Sequence, residues 1–288
     1  MLAEYPFSLN TFTIAGHKMN YLDEGEGPVV VLVHGNPTWS YYYRNLVLEL
    51  RKNHRVIVPD HIGCGLSDKP QQYSYTLSQH ISNLSSLLSS LELTEYSLVV
   101  HDWGGAIGMG CAVKNPDQLR KIVVLNSAAF RSSRIPFRIS VCRWPILGPL
   151  IVRGLNGFAR PATFMAVNVP LKEDVKKGYL HPYNSWASRV AVSAFVQDIP
   201  LKPSHQSYDT LVEVENGLQG IAEAKIPMLI LWGGKDFCFN DHFYDEWLDR
   251  FPAADHYYFQ NGGHYILEDK AEVIIPQISE FLRTEMEK

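Results

Sequence analysis

The sequence predicts a doubly wound, mostly parallel α/β sheet interrupted by an inserted helical cap. Three observations lead there. Apolar, β-branched runs recur without polar alternation; a helical pattern follows most of them; and one long block, residues 127–220, contains no strand pattern at all. A strand buried on both faces has no solvent side, so it loses the period of two that marks a half-exposed strand. Such strands alternating with helices make a parallel sheet covered on both faces. The chain of 288 residues suits one large domain carrying an insertion. We therefore assign residues 1–126 and 221–288 to the core and residues 127–220 to a cap above the carboxyl ends of the strands, where ligands of such sheets bind.

The elements follow in order. Residues 7–14 and 19–23 read as a hairpin turning at Ala15, Gly16 and His17. Residues 29–33, all Val or Leu, form the first buried strand between Gly27-Pro28 and His34-Gly35. A helix is predicted over 39–51, a strand over 55–59, and a helix over 76–91 capped near Ser74. Strand 97–101, helix 105–114 and strand 122–126 complete the first half. After the cap, strand 228–232, helix 242–251, strand 255–259 and a final helix over 271–286 resume the rhythm.

Composition narrows the class. Hydrophobic residues make up 46% and charged residues 19%, enough apolar material for a core. The net charge of −4 offers nothing at whole-chain level to nucleic acid or an anionic membrane, and no nucleic-acid partner is expected. Cys64, Cys111, Cys142 and Cys238 are scattered, with no paired spacing and no metal-ligand grouping around them. The first residues show no basic-then-apolar leader, so reduced thiols in a cytoplasmic protein are expected. No apolar run approaches the ~20 residues of a membrane span.

The chemistry concentrates at strand ends. Leu98-Val99-Val100-His101-Asp102-Trp103-Gly104-Gly105 reads as strand, tight turn, helix, the layout of a nucleophile elbow, with small residues where the backbone must fold sharply. Its nucleophile position holds Asp102. An aspartate in such a turn also caps helices, so Asp102 alone decides little. Two later residues add to it: Asp236, in Gly233-Gly234-Lys235-Asp236 after strand 228–232, and His264, in Gly262-Gly263-His264 after strand 255–259. Nucleophile, acid and histidine in that chain order, each at a strand end, are the arrangement an α/β-hydrolase fold uses. His34-Gly35-Asn36-Pro37 follows the first buried strand, so the backbone N–H groups of Asn36 and Trp103 are the expected oxyanion-hole donors.

A carboxylate attacks amides poorly but displaces leaving groups from saturated carbon, forming an alkyl ester. His264, oriented by Asp236, would then activate water against the Asp102 carbonyl carbon. This scheme calls for no metal and no organic cofactor. The Asn36 side-chain N–H and the Trp103 indole N–H are expected beside Asp102 in the fold and suit an anionic leaving group. An epoxide would need a proton donor instead, and Tyr179, Tyr183 and Tyr208 are the available cap tyrosines.

On these residues the chain resembles the haloalkane dehalogenases. His34-Gly35-Asn36-Pro37-Thr38-Trp39-Ser40 and His101-Asp102-Trp103-Gly104-Gly105 are similar to that family's two signature motifs, and the similarity runs over nearly the whole chain. The resemblance implies that Asn36 and Trp103 bind the halide. Epoxide hydrolases share the His-Asp-Trp-Gly motif but typically carry an aromatic residue at the position of Asn36. One dehalogenase subfamily places its acid at the position of Asn126, so the acid here is expected at Asp236. The segments around Pro182-Tyr183-Asn184-Ser185-Trp186, Asp236 and His264 resemble the third subfamily, which is also similar to the β-lactone decarboxylases of bacterial long-chain olefin synthesis. Cleavage of a carbon–halogen bond in a haloalkane is thus the first expectation, decarboxylation of an alkyl β-lactone the second, and epoxide hydrolysis the third.

The remaining features read as structural, with one exception. His61, Cys64 and Asp68 belong to a glycine-rich loop rather than a metal or phosphate site, and His101 packs within the sheet. From Arg131 to Arg160 there are six arginines, and no acidic residue occurs between Asp117 and Glu173. Interleaved with Phe137, Trp144, Ile146 and Leu150, this stretch fits cap helices with solvated arginines. It also fits a docking surface for a protein or a membrane.

Overall fold

The computed structural model describes residues 2–284. Eight strands form one sheet: β1 (Asn10–Ile14), β2 (His17–Glu24), β3 (Val29–Val33), β4 (Arg55–Pro59), β5 (Tyr96–Asp102), β6 (Leu119–Ser127), β7 (Met228–Gly233) and β8 (Asp255–Phe259). Their spatial order is β1-β2-β4-β3-β5-β6-β7-β8. β1 and β2 form the expected antiparallel hairpin, β2 pairs antiparallel with β4, and every other neighbour is parallel. The order reverses around β3, which lies between β4 and β5, so the carboxyl ends of β3 and β5 flank the crevice where such sheets bind ligands.

The pleat divides the apolar runs between two cores. Val31 and Val33 of β3 face one side with Leu98 and Val100 of β5, against α2 (Leu77–Ser90) and α3 (Gly104–Ala112). Val30 and Leu32 face the other side with Val99, against α1 (Arg44–Leu50) and the C-terminal helix. That two-sided burial is why the central strands show no alternation.

Between β6 and β7 lie α4 (Phe137–Val141), a helical stretch over 147–154 that ends in a π turn, α5 (Ala159–Met165), α6 (Glu173–Leu180), α7 (Val190–Gln197) and α8 (Tyr208–Glu223). Helix α8 runs back onto the core, with Gly217 facing Val113 and Val214 facing Gly110 at the end of α3. Helices α9 (Asp241–Arg250) and α10 (Ala271–Arg283) complete the fold. The predicted extension of the last helix to Met286 lies outside the described residues.

Local departures from expectation have local causes. The helix expected over 39–51 begins as a tighter turn at Ser40–Tyr43 and becomes α-helical only at Arg44. Ser40 N–H donates to Asp60 Oδ1 at 2.7 Å, tying the start of this segment to the end of β4, and Tyr41, Tyr42 and Tyr43 are all buried in one core cluster. Helix α2 is capped by Thr76, whose hydroxyl accepts from Gln79 N–H at 3.3 Å, rather than by Ser74. Among the described residues the four cysteines are free, and no helix is long and apolar enough to cross a membrane.

Gly104 and Gly220 offer a paired test of these packing claims. A Cβ at Gly104 would overlap the Val33 carbonyl, where α3 meets β3. Gly104→Ala is expected to lower unfolding stability by about 1–3 kcal/mol through overpacking. Gly220 sits in α8 with nothing near its Cβ position, so Gly220→Ala should raise stability by about 0.5–1 kcal/mol through helix propensity. Urea midpoints at unchanged m-value read both effects.

Candidate active site

The site begins where β5 ends. Asp102 takes φ 54°, a left-handed conformation uncommon outside glycine, and the next residue already has helical angles. The turn lifts the Asp102 carboxylate off the sheet toward the loop after β3. Gly35 lies so close that a Cβ there would overlap that carboxylate. The register between β5 and β6 slips at this point, pairing Asp102 with Ser127, whose hydroxyl donates to the Asp102 carbonyl at 2.5 Å.

The residues singled out in the sequence converge here. Asn36 N–H donates to Asp102 Oδ1 at 2.6 Å. His264 Nε2 lies 3.5 Å from Asp102 Oδ2, and its Nδ1 is 2.7 Å from Asp236 Oδ2. Asp236 Oδ1 accepts from the backbone N–H groups of Cys238 (2.7 Å) and Phe239 (3.1 Å), which fixes the carboxylate against the ring. Asn36, Asp102, Asp236 and His264 are all buried. Trp103 lines the same cavity and packs its ring 5.4 Å from Phe195.

Electrostatics follow from this arrangement. Burial by itself pushes the His264 imidazole toward the neutral form, but the paired Asp236 and Asp102 carboxylates override it and push its pKa up to about 10. A buried carboxylate pair with one imidazolium between them carries a net charge of −1. The two flanking carboxylates thus favour the protonated imidazole, and loss of charge on either of them would favour the neutral base.

Three further residues support the site. Asn126 clamps the loop that carries Asp236: its Oδ1 accepts from Gly233 N–H at 2.8 Å, and its Nδ2 donates to the Gly233 carbonyl at 3.0 Å and to Asp236 Oδ2 at 3.1 Å. Asp269 holds the loop of His264, accepting from Gly263 N–H at 2.7 Å and from Asn168 and Val169 N–H. His101, buried as expected, lies between Tyr42 and His264 and donates from Nε2 to the His264 carbonyl at 2.9 Å. The sequence gives no local signal for most of these bonds, because Gly233 and Asp236, residues 168–169, and the His264 carbonyl lie far along the chain from Asn126, Asp269 and His101 respectively.

Above Asp102 lies a cavity of about 350 Å³. Its walls are largely apolar, with Asn36, Asp102 and His264 as a polar group at the strand ends. Of its lining residues, Arg134, Arg138 and Phe237 are exposed. The Asn36 amide donates to the Val192 carbonyl at 3.2 Å through Nδ2, which carries a second N–H, while its buried Oδ1 has no partner among the described residues. The tyrosines considered for epoxide activation are elsewhere. Tyr179 donates to Glu268 at 2.5 Å in a buried cluster with Arg44, Tyr183 accepts from Gly65 N–H, and neither they nor Tyr208 line the cavity. The glycine-rich loop is structural too: Asp60 accepts from Ser40 and Leu66 N–H, and His61 exchanges hydrogen bonds with His34. No group of metal-ligating side chains occurs among the described residues.

Comparison with known proteins gives a consistent kinship. Residues 30–276 match the model of the alpha/beta hydrolase family. The chain is 45% identical to a cis-3-alkyl-4-alkyloxetan-2-one decarboxylase of Shewanella oneidensis, over 96% of this chain and 89% of that protein. It is 40% identical to one of Xanthomonas campestris, over 93% of each. A haloalkane dehalogenase of Mycobacterium tuberculosis is 28% identical over 96% of this chain and 95% of that one. Among solved structures, a haloalkane dehalogenase of Agrobacterium tumefaciens superposes with a TM-score of 0.85 over 96% of both chains at 24% identity, a likeness of fold.

The charge argument predicts a specific titration. With its folded value raised from 6.5 to about 10, His264 binds its proton more tightly in the native state. The resulting stabilisation is complete below about pH 6.5 and fades as pH rises through about 10. NMR of labelled imidazole should show His264 protonated at pH 8 in the native protein. In Asp102→Asn it should titrate at lower pH, since one of the two flanking charges is gone.

Proposed function

The chain belongs to the alpha/beta hydrolase family, and we propose that it decarboxylates cis-3,4-dialkyl β-lactones to alkenes, with Asp102 as nucleophile. The observation that carries this reading is the 45% identity, over 96% of the chain, to a protein named for that substrate. An apolar cavity over a buried carboxylate supports it. The substrate is a small strained ring carrying two hydrocarbon chains, and it presents one saturated carbon bonded to the ring oxygen.

In the proposed reaction Asp102 attacks that carbon, C4, from the face opposite the C4–O bond. The bond breaks, the ring opens, and the ring oxygen leaves as part of a carboxylate still attached to C3. The second Asn36 N–H and the Trp103 indole N–H are the donors for this anion. The electron pair of the C3–carboxylate bond then forms the alkene as the C4–O bond to Asp102 breaks. Carbon dioxide departs and Asp102 returns as a carboxylate. Inversion in the first step and anti departure in the second leave cis ring substituents cis on the alkene. No water is consumed and no cofactor enters. In this scheme Asp236 and Asn126 hold His264, whose imidazolium balances the charge beside the reacting carboxylates. The cap assigned to residues 127–220 supplies the apolar walls.

Carbon–halogen cleavage, the first expectation from sequence, becomes the second reading, because the dehalogenase relatives stand at lower identity. The Asn36–Trp103 pair favours keeping it. In that reaction His264 turns base once Asp102 is esterified, and water attacks the Asp102 carbonyl carbon. Epoxide opening loses support, since its tyrosines are absent from the cavity walls.

The two readings part over water. Multiple turnovers in ¹⁸O-water should leave the Asp102 peptide unlabelled with a cis-β-lactone and label it with a bromoalkane. Label from the lactone would overturn the proposed elimination. Asp102→Ala should lower lactone kcat/KM by at least about 10³, the loss expected when a covalent nucleophile is removed. His264→Ala should accumulate an Asp102 ester from a bromoalkane, visible by mass spectrometry, while retaining more of its lactone turnover than of its dehalogenation. Bromide release with no lactone activity would give the dehalogenase reading first place.

A further inference from the structure

We propose that the face around the cavity opening, residues 134–164, docks on an anionic phospholipid surface. The argument about product release below rests on the lactone reading; the surface itself stands on its residues alone.

The protein exposes large apolar side chains unevenly, and residues 137–164 hold a dense group of them. Phe137 is 76% exposed, Ile146 80% and Leu155 76%, with Leu150 and Phe164 also more than half exposed. Single exposed hydrophobics are ordinary, whereas a contiguous group marks an interaction site. Ile146 adds a second, independent observation. It has φ 65°, the left-handed region where a β-branched side chain is strained. The chain thus holds its most exposed large hydrophobic side chain on strained backbone, an arrangement that persists where it serves a function.

Charge identifies the occupant. Arg134, Arg138, Arg143, Arg153 and Arg160 alternate with those side chains, and no acidic residue lies between Asp117 and Glu173. Of the six arginines in this stretch, Arg131 is paired with Glu215; the other five have no acidic partner among the described residues. Arg143 keeps a guanidinium nitrogen buried, and Arg153 is half-buried, stacking on Trp186 and donating to the Trp186 carbonyl and to Gln71. The three exposed arginines, Arg134, Arg138 and Arg160, interleaved with protruding aliphatic and aromatic groups, suit a headgroup layer above an apolar phase. The face is basic although the chain as a whole is acidic at −4, so attraction to an anionic surface is local and would orient the molecule.

The position of the opening gives the docking a use. Arg134, Pro136, Arg138 and Phe158 belong both to this stretch and to the cavity lining. A cavity opening inside an apolar, basic patch would face acyl chains rather than water once docked. A dialkyl substrate and a hydrocarbon product could then move between cavity and bilayer without exposing their chains to water.

Flotation of the full-length chain with vesicles tests this. At low salt the chain should bind vesicles of equimolar phosphatidylglycerol and phosphatidylcholine at least roughly tenfold more strongly than phosphatidylcholine alone, with binding weakened at high salt. Ile146→Glu with Leu155→Glu should cut vesicle binding by roughly tenfold or more. Turnover of a short-chain, water-soluble substrate should be unchanged, since neither residue lines the cavity. Arg160→Gln should reduce the dependence on phosphatidylglycerol. The proposal fails if the chain stays unbound at low salt, or if the double variant binds as well as the parent. It also fails if the parent forms a stable dimer that the double variant abolishes, which would assign the face to a second copy. Vesicle binding without lactone activity would keep the surface and discard the substrate; lactone turnover without vesicle binding would do the reverse.

Discussion

A carboxylate held out of water at the top of the sheet is the constraint around which the site is built. Moving an ionised carboxylate from water into an apolar cavity is unfavourable unless charge and hydrogen bonds replace the lost hydration. Asp102 receives one backbone N–H from Asn36 at 2.6 Å and a nearby imidazolium at 3.5 Å. These two contacts dictate much of what surrounds them. The loop after β3 must approach closely, which requires Gly35. The imidazolium must stay charged in a buried place, which requires Asp236, and Asp236 in turn is fixed by Asn126 and two backbone N–H groups.

The same contacts leave the site chemically poised. Transfer of negative charge from Asp102 to a departing anion leaves the total charge of site and substrate unchanged, so attack on a neutral substrate moves charge without creating any. Donors that are already oriented need little reorganisation as the charge moves, which is the sense in which a preorganised site lowers a barrier.

How much of this was legible in the sequence depended on whether the partner was near in the chain or far. The buried strands announced themselves because Val29–Val33 has no polar residue to place on a solvent face, and the elbow did so because Gly104 and Gly105 follow Asp102 directly. Asp236 and His264 were found from their strand-end positions and order, and the fold brings them to Asp102 as a parallel sheet must. Asn126, Asp269 and His101 act through backbone groups elsewhere, Asn126 on Gly233, Asp269 on residues 168–169 and His101 on the His264 carbonyl. No local pattern records such a bond. Tyr179 carries the residue type an epoxide site would need, but a cap tyrosine more often packs, and here it is buried and donates to Glu268 beside Arg44.

Substrate identity sits on a different part of the molecule from reactivity. Asp102, His264, Asp236, Asn36 and Trp103 suit displacement at saturated carbon whether the departing anion is a halide or a tethered carboxylate, so their presence discriminates weakly between the two. Beyond that leaving group, the substrates differ in the hydrocarbon attached to the reacting carbon, for which the apolar cavity walls are the matching surface. Those walls are drawn largely from the stretch between β6 and β7, which has the most exposed hydrophobics and the strained Ile146. A sheet whose strand ends fix one reaction, covered by helices free to vary without disturbing it, can keep its chemistry while its substrate changes. On that argument the strand ends of this chain are suited to more than one leaving group, and the covering helices are the part that would set its substrate.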